Sequence, residues 1–292
     1  MLQQELFYDL TENGLINQRL VLTLVQFTQN LDLTDEQKQQ FLNRLLLQAK
    51  KLLAIWIHFD RFGREVERLK PDAPIYDAEA PAPHIKIRYS QELYLEFDEF
   101  LVQYKSSLDY LAKFPAVFFG QNKWNLGSFG DKGERVLRML RNVLPKEKKH
   151  FADDFEKKIF DPHRSDIRDA IEIRDRVNHY LEGGPSHENF RVFGVRRSGG
   201  VTYKVPMWSK DQPIVEFMNV AFSNHLKFCE DFIVFFLGFH LKPGFGFLHQ
   251  PVPADSTKSP WKLIPEAALP LFVQNFTGLE PGLIKTKPPV AT

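Results

Sequence analysis

The chain has 292 residues, 43% of them hydrophobic and 26% charged, with a formal net charge of +1. That length suits one large domain or two small ones, and the composition is ordinary for a globular protein. The near-neutral balance excludes a global attraction for nucleic acid, and the single cysteine, Cys229, excludes a disulfide framework or a cysteine-based zinc site. Residues 1–5 show no basic region leading into an apolar run, and the most apolar stretch, 232–239, falls far short of a membrane span. A soluble, cytoplasmic protein without membrane contact is expected.

Thr34 and Gln37 have the spacing of a capping box and open a helical pattern reaching about Leu69, where Pro71 and Pro74 end it. Residues 71–88, with Pro71, Pro74, Pro81 and Pro83, read as an extended connection. Ser90 caps an amphipathic helix whose stripe is Leu93, Phe97, Phe100, Leu101, Tyr104, Leu108 and Leu111; Pro115 closes it. A glycine-containing loop over 120–133 precedes a short helix at about 134–144 and a charged one at 146–159. The next helix begins near Ser165 and is expected to stop at Gly183-Gly184.

Segments 190–195 and 201–205 flank Arg196-Arg197-Ser198-Gly199-Gly200 and read as a β-hairpin. Pro213 starts a long apolar helix to about Leu241. Phenylalanine, 27 residues in all, crowds into 217–247, which marks this helix as deeply buried or as facing a partner subunit. From Pro243 to Thr292 the proline-rich sequence has little periodicity and predicts an extended tail.

The run Arg174-Asp175-Arg176-Val177-Asn178-His179 is the constellation that points to chemistry. A guanidinium holds phosphate in a fixed fork and stays charged at any working pH. An imidazole takes or gives a proton near neutrality. Together they are the minimum equipment for cleaving an RNA phosphodiester without a metal. Arg followed loosely by His is common by chance; the polar residue directly after the Arg and the place near a helix end narrow it.

At 100° per residue, Arg174 falls in the middle of the apolar sector formed by Ile167, Ala170, Ile171, Val177 and Leu181, with Asn178 towards its edge. A buried arginine needs a partner. Either a carboxylate from another element neutralises it, or it lines a cleft for phosphate. His179 lies about 140° around the helix from Arg174, so the two do not converge in a straight helix of one subunit. The helix can tighten near Asn178, or two copies can meet across a symmetric interface and share one composite site. The second arrangement is the expectation. The bland alternative for His179 is a last-turn histidine at the negative end of the helix dipole.

The Arg-polar-x3-His run, in an all-helical chain with a helix before it and a long one after, resembles the HEPN superfamily. Its signature maps to Arg174, Asp175 and His179. The resemblance implies an all-α HEPN-like bundle with one β-hairpin: a single helical domain over 1–242, comprising an N-terminal extension 1–70 and a core at about 90–242 with the hairpin at 190–205, then the tail 243–292. It implies a metal-independent, cofactor-free endoribonuclease acting on single-stranded RNA, of the kind found as toxins or antiviral-defence effectors. A homodimer through the motif helix and an antitoxin or other regulatory protein are the implied partners. His179 would be general base or acid, Arg174 would neutralise the phosphorane-like transition state, Asp175 would orient the imidazole and Asn178 would hold phosphate or brace Arg174.

Arg196 and Arg197 at the hairpin tip, Arg191 and Lys204 on its arms, and Arg176 are candidate RNA contacts, set against the plainer reading of a solvated turn. Gly244-Phe245-Gly246-Phe247 lacks the context of a nucleotide loop and reads as loop or packing. The remaining histidines show no metal-ligand spacing; His225 and His240 read as satisfied core or interface residues. A rival to the enzyme is a catalytically inactive helical module that binds a protein or a nucleotide.

Overall fold

The structure is a computed structural model and describes residues 9–78, 88–178, 189–208, 212–253 and 255–265. It is mostly helical. Among the described residues the helices are α1 (Thr23–Phe27), α2 (Asp35–Leu69), α3 (Gln91–Leu111), α4 (Ala116–Phe119), α5 (Glu134–Val143), α6 (His150–Asp154), α7 (Arg164–Asn178) and α8 (Ile214–Gly238). The strands are β1 (Ile75–Asp77), β2 (Phe193–Arg197), β3 (Gly200–Lys204), β4 (Phe245–His249) and β5 (Trp261–Pro265). No helix among the described residues is long and apolar enough to cross a membrane.

The sequence signals for helix starts act as expected. Thr34 and Gln37 cap each other, the Gln37 amide donating to Thr34 Oγ1 at 3.2 Å and the Thr34 amide to Gln37 Oε1 at 3.0 Å. The Leu93 amide donates to Ser90 Oγ at 3.3 Å at the head of α3. The chain divides into two compact units, one formed by 1–53, 106–167 and 223–292, the other by 54–105 and 168–222.

The first unit is built on the second half of α8. From Phe228 to Gly238 the helix is buried on every side, as a central core helix must be. Its rings interlock with those of the turn after α6: Phe155 lies 4.9 Å from Phe235, and Phe232 lies 4.9 Å from Phe236. Many polar groups inside this core are paired, although Gln48 Oε1 and Glu230 Oε1 meet no hydrogen-bond partner among the described residues. Arg19 Nε donates to Glu230 Oε2 at 2.8 Å. Asp231 accepts from the Trp261 indole at 2.7 Å and faces His163 Nε2 at 3.3 Å, which ties β5 and the start of α7 to α8. Ser107 Oγ accepts from Gln48 Nε2 at 2.7 Å and meets His225 Nε2 at 2.7 Å. His225 is thus a core histidine bonded through Nε2 to Ser107, and His240 stacks on Phe118.

One expectation fails here. Phe245–His249 and Trp261–Pro265, within the segment read as an extended tail, pair as a two-stranded antiparallel sheet with Phe247 opposite Leu263. Phe247 and Leu248 are both buried, and as neighbours in a strand they point to opposite faces, so both sides of this short sheet are covered there. Residues 266–292 lie outside the described residues, as do Gly183 and Gly184, the expected end of α7.

The second unit packs the far half of α2 and the first parts of α3 and α8 around Phe97, whose ring lies 5.8 Å from Phe190 and 6.2 Å from both Trp208 and Phe217. The hairpin is present, as β2 and β3, with Arg197 opposite Gly200. It belongs to a larger sheet than expected: β1, inside the proline-rich connection, pairs in parallel with β2, Tyr76 opposite Val195. Gly194 is required at this crossing. A Cβ there would come within 2.9 Å of Val201 and 3.0 Å of Ile75, so only glycine lets the three strands close up.

Candidate active site

The motif lies at the end of α7, in the second unit. Ile167, Ala170, Ile171, Ile173 and Val177 are buried and fix the helix in place. Arg174 occupies the same arc, but its side chain is 31% exposed rather than sealed in the stripe. A long side chain on a buried face can carry its charged head out to water along an apolar stem, and this one does.

Its partner is also different from either expected one. Arg174 Nη1 donates to Asp175 Oδ1 at 2.8 Å, a carboxylate on the next residue of the same helix. Asp175, expected to orient an imidazole, commits one oxygen to Arg174. A second carboxylate comes from α3. Burial pushes the Asp98 carboxyl above the usual range, the neighbouring Glu99 adds to the rise, and the Arg174 guanidinium pulls it back down. The site thus sets one half-exposed guanidinium against two acids, one local and one from another helix. The two acids hold the guanidinium in place while part of it stays open to water.

Arg176 is exposed on the opposite face. Asn178 is the last helical residue, but its side chain lies outside the described residues, and so does His179. On the hairpin, Arg196, Arg197 and Lys204 are exposed, and Arg196 stands 3.6 Å from Asp77 of β1. Arg191 is half-buried before β2 and does not stand free. Among the described residues no three His, Cys, Asp or Glu side chains converge as metal ligands would.

Asp98 was missed in the sequence because it sits beside Phe97 in a run of acids, Glu96, Asp98 and Glu99, that looks like the solvated face of α3. Only the α3–α7 packing singles it out. Compared with known proteins, the chain matches no family model, no curated protein and no solved structure.

Proposed function

We propose that the chain is a metal-independent endoribonuclease of HEPN type, acting on single-stranded RNA as a homodimer through the motif helix. The observation that carries the reading is the half-exposed Arg174 guanidinium at the end of α7, five residues before His179 in sequence. In this reading the RNA 2′-hydroxyl loses its proton to one His179 imidazole and attacks phosphorus. The P–O5′ bond breaks, the 5′-oxygen takes a proton from the second imidazole, and a 2′,3′-cyclic phosphate remains. Arg174 meets the charge that grows on the non-bridging oxygens. Arg176, Arg196, Arg197 and Lys204 supply exposed positive charge for the RNA backbone. A toxin or defence role, an antitoxin partner and a cytoplasmic setting belong to the same proposal.

A second reading is favoured by one observation. The bond from Arg174 to Asp175 already occupies part of the guanidinium, as in a catalytically silent module that binds a protein or a nucleotide. Cleavage of an end-labelled single-stranded RNA in EDTA separates the two. The wild type is expected to yield 2′,3′-cyclic phosphate ends, His179→Ala to abolish them, and Arg174→Ala to slow cleavage by roughly 100-fold or more. Equal cutting by all three proteins would sink the enzyme reading.

A further inference from the structure

A cavity of about 610 Å³ opens in the second unit, beside β1 and the start of α3, well within the size range of small-ligand sites. Its apolar wall includes Val192, which is buried, and Leu95, which is 49% exposed despite its size. Tyr89 adds an aromatic ring that is 43% exposed. Large apolar groups left open inside a concavity, rather than scattered over a convex surface, mark a place where a flat or apolar ligand group docks.

The polar groups of the cavity differ in how far they are used. Arg68 is tied to Glu65 at 2.7 Å and to Glu92 at 3.3 Å. Arg88, by contrast, is exposed and has no ion pair or hydrogen bond among the described residues. The Tyr76 hydroxyl is buried and meets no hydrogen-bond partner among the described residues. An orphaned buried hydroxyl is costly, and such a group on a residue of a cavity wall calls for a partner that a ligand can supply.

The cavity is also tied to the motif. Leu95 lines it, and Asp98, three residues further along α3, is the acid that feels Arg174. Residues three apart on a helix are neighbours on one face, about 4.5 Å apart along the axis.

We infer that this cavity binds one nucleotide of the RNA substrate, with Arg88 on a phosphate, Tyr89 against the base and the Tyr76 hydroxyl on a polar edge of the base. This rests on the ribonuclease reading for the identity of the ligand, and on the cavity alone for its chemistry. A guanidinium fits a phosphate oxygen pair and a tyrosine ring offers a face to any base, which is how unpaired nucleotides are held.

The test is titration calorimetry of the full-length protein with AMP, CMP, GMP and UMP, and with 2′-methoxy RNA tetramers that cannot be cut. At least one mononucleotide and the tetramers containing it are expected to bind saturably. Arg88→Gln and Tyr89→Ala should each weaken both by roughly tenfold or more. Tyr76→Phe should weaken binding in the same way while its melting temperature stays at or above that of the wild type, an outcome that a structural hydroxyl does not give. No saturable binding, or unchanged affinity in the Arg88 and Tyr89 variants, overturns the site. Mononucleotide binding without tetramer binding overturns the substrate assignment. Because no arm requires cleavage, tetramer binding by a protein that cuts no RNA would sink the ribonuclease reading and leave the cavity standing.

Discussion

His225 offers the sharpest quantitative test of the core. Its ring is fully buried, 2.7 Å from Ser107 Oγ, and burial, helped by the charge of His163, pushes it down from 6.5 to about 3. Between those values the unfolded chain carries a proton on this ring and the folded chain does not. Stability that is present above pH 6.5 is therefore lost progressively as the pH falls towards 3. At pH 5 the loss is set by the unfolded value alone, about 1.5 units away, and amounts to about 2 kcal/mol. Urea unfolding of wild type and His225→Gln at pH 7 and pH 5 isolates it. Glutamine can still bond Ser107 but does not titrate. His240 and His249 are also lowered by burial and add the same sign, but both proteins carry them, so they cancel in the difference. The wild type is expected to lose about 2 kcal/mol more than the variant between the two pH values. Equal losses would mean that the ring is not sealed against protons, and the picture of a dry polar cluster would be wrong.

Three further outcomes follow from the packing. Arg19→Met leaves the buried Glu230 carboxyl, pushed up by burial and drawn down by the guanidinium beside it, without its partner. It should cost roughly 3–5 kcal/mol in denaturant unfolding, and Arg19→Met/Glu230→Leu should recover much of that; full stability of the single variant would contradict the pair. Gly133 has φ +99 and a Cβ there would lie 2.4 Å from the Phe160 ring, so Gly133→Ala should destabilise by roughly 2–4 kcal/mol, read as a lower unfolding midpoint at unchanged slope. Arg174→Gln removes the positive charge that holds Asp98 down, so a carbon-detected NMR titration of the Asp98 carboxyl should move to higher pH. An unmoved titration would break the electrostatic link between α3 and the motif helix.

The parts of the fold that the sequence displays are those held by local rules. Thr34 and Gln37, or Ser90 ahead of Leu93, state where a helix begins within four residues, and the apolar period of α3 and α8 states which side is buried. The hairpin is legible because its turn, Ser198-Gly199, lies between its strands. What failed was non-local. Ile75–Asp77 is too short and too close to prolines to read as a strand, and pairs with residues more than a hundred positions away. Phe245–His249 needs Trp261–Pro265 to become a sheet, and Asp231, thirty positions from Trp261, to hold it.

The candidate site divides along the same line. Arg174 and Asp175 are adjacent, so the motif was visible; the depth of Arg174 was not, because a helical wheel places a Cβ and says nothing of where a guanidinium five bonds further out ends up. Asp98, Tyr76 and Arg88 carry no spacing to one another and become neighbours of the motif or of the cavity only through α3 and β1. A short catalytic signature is local in the chain, whereas the groups that set charge around it and hold its substrate are drawn from elsewhere. That is why the proposed chemistry rests on α7 and the proposed recognition on α3: the strongest single check on both is a residue that the motif does not contain, Asp98, whose titration reports whether the two helices share one electrostatic site.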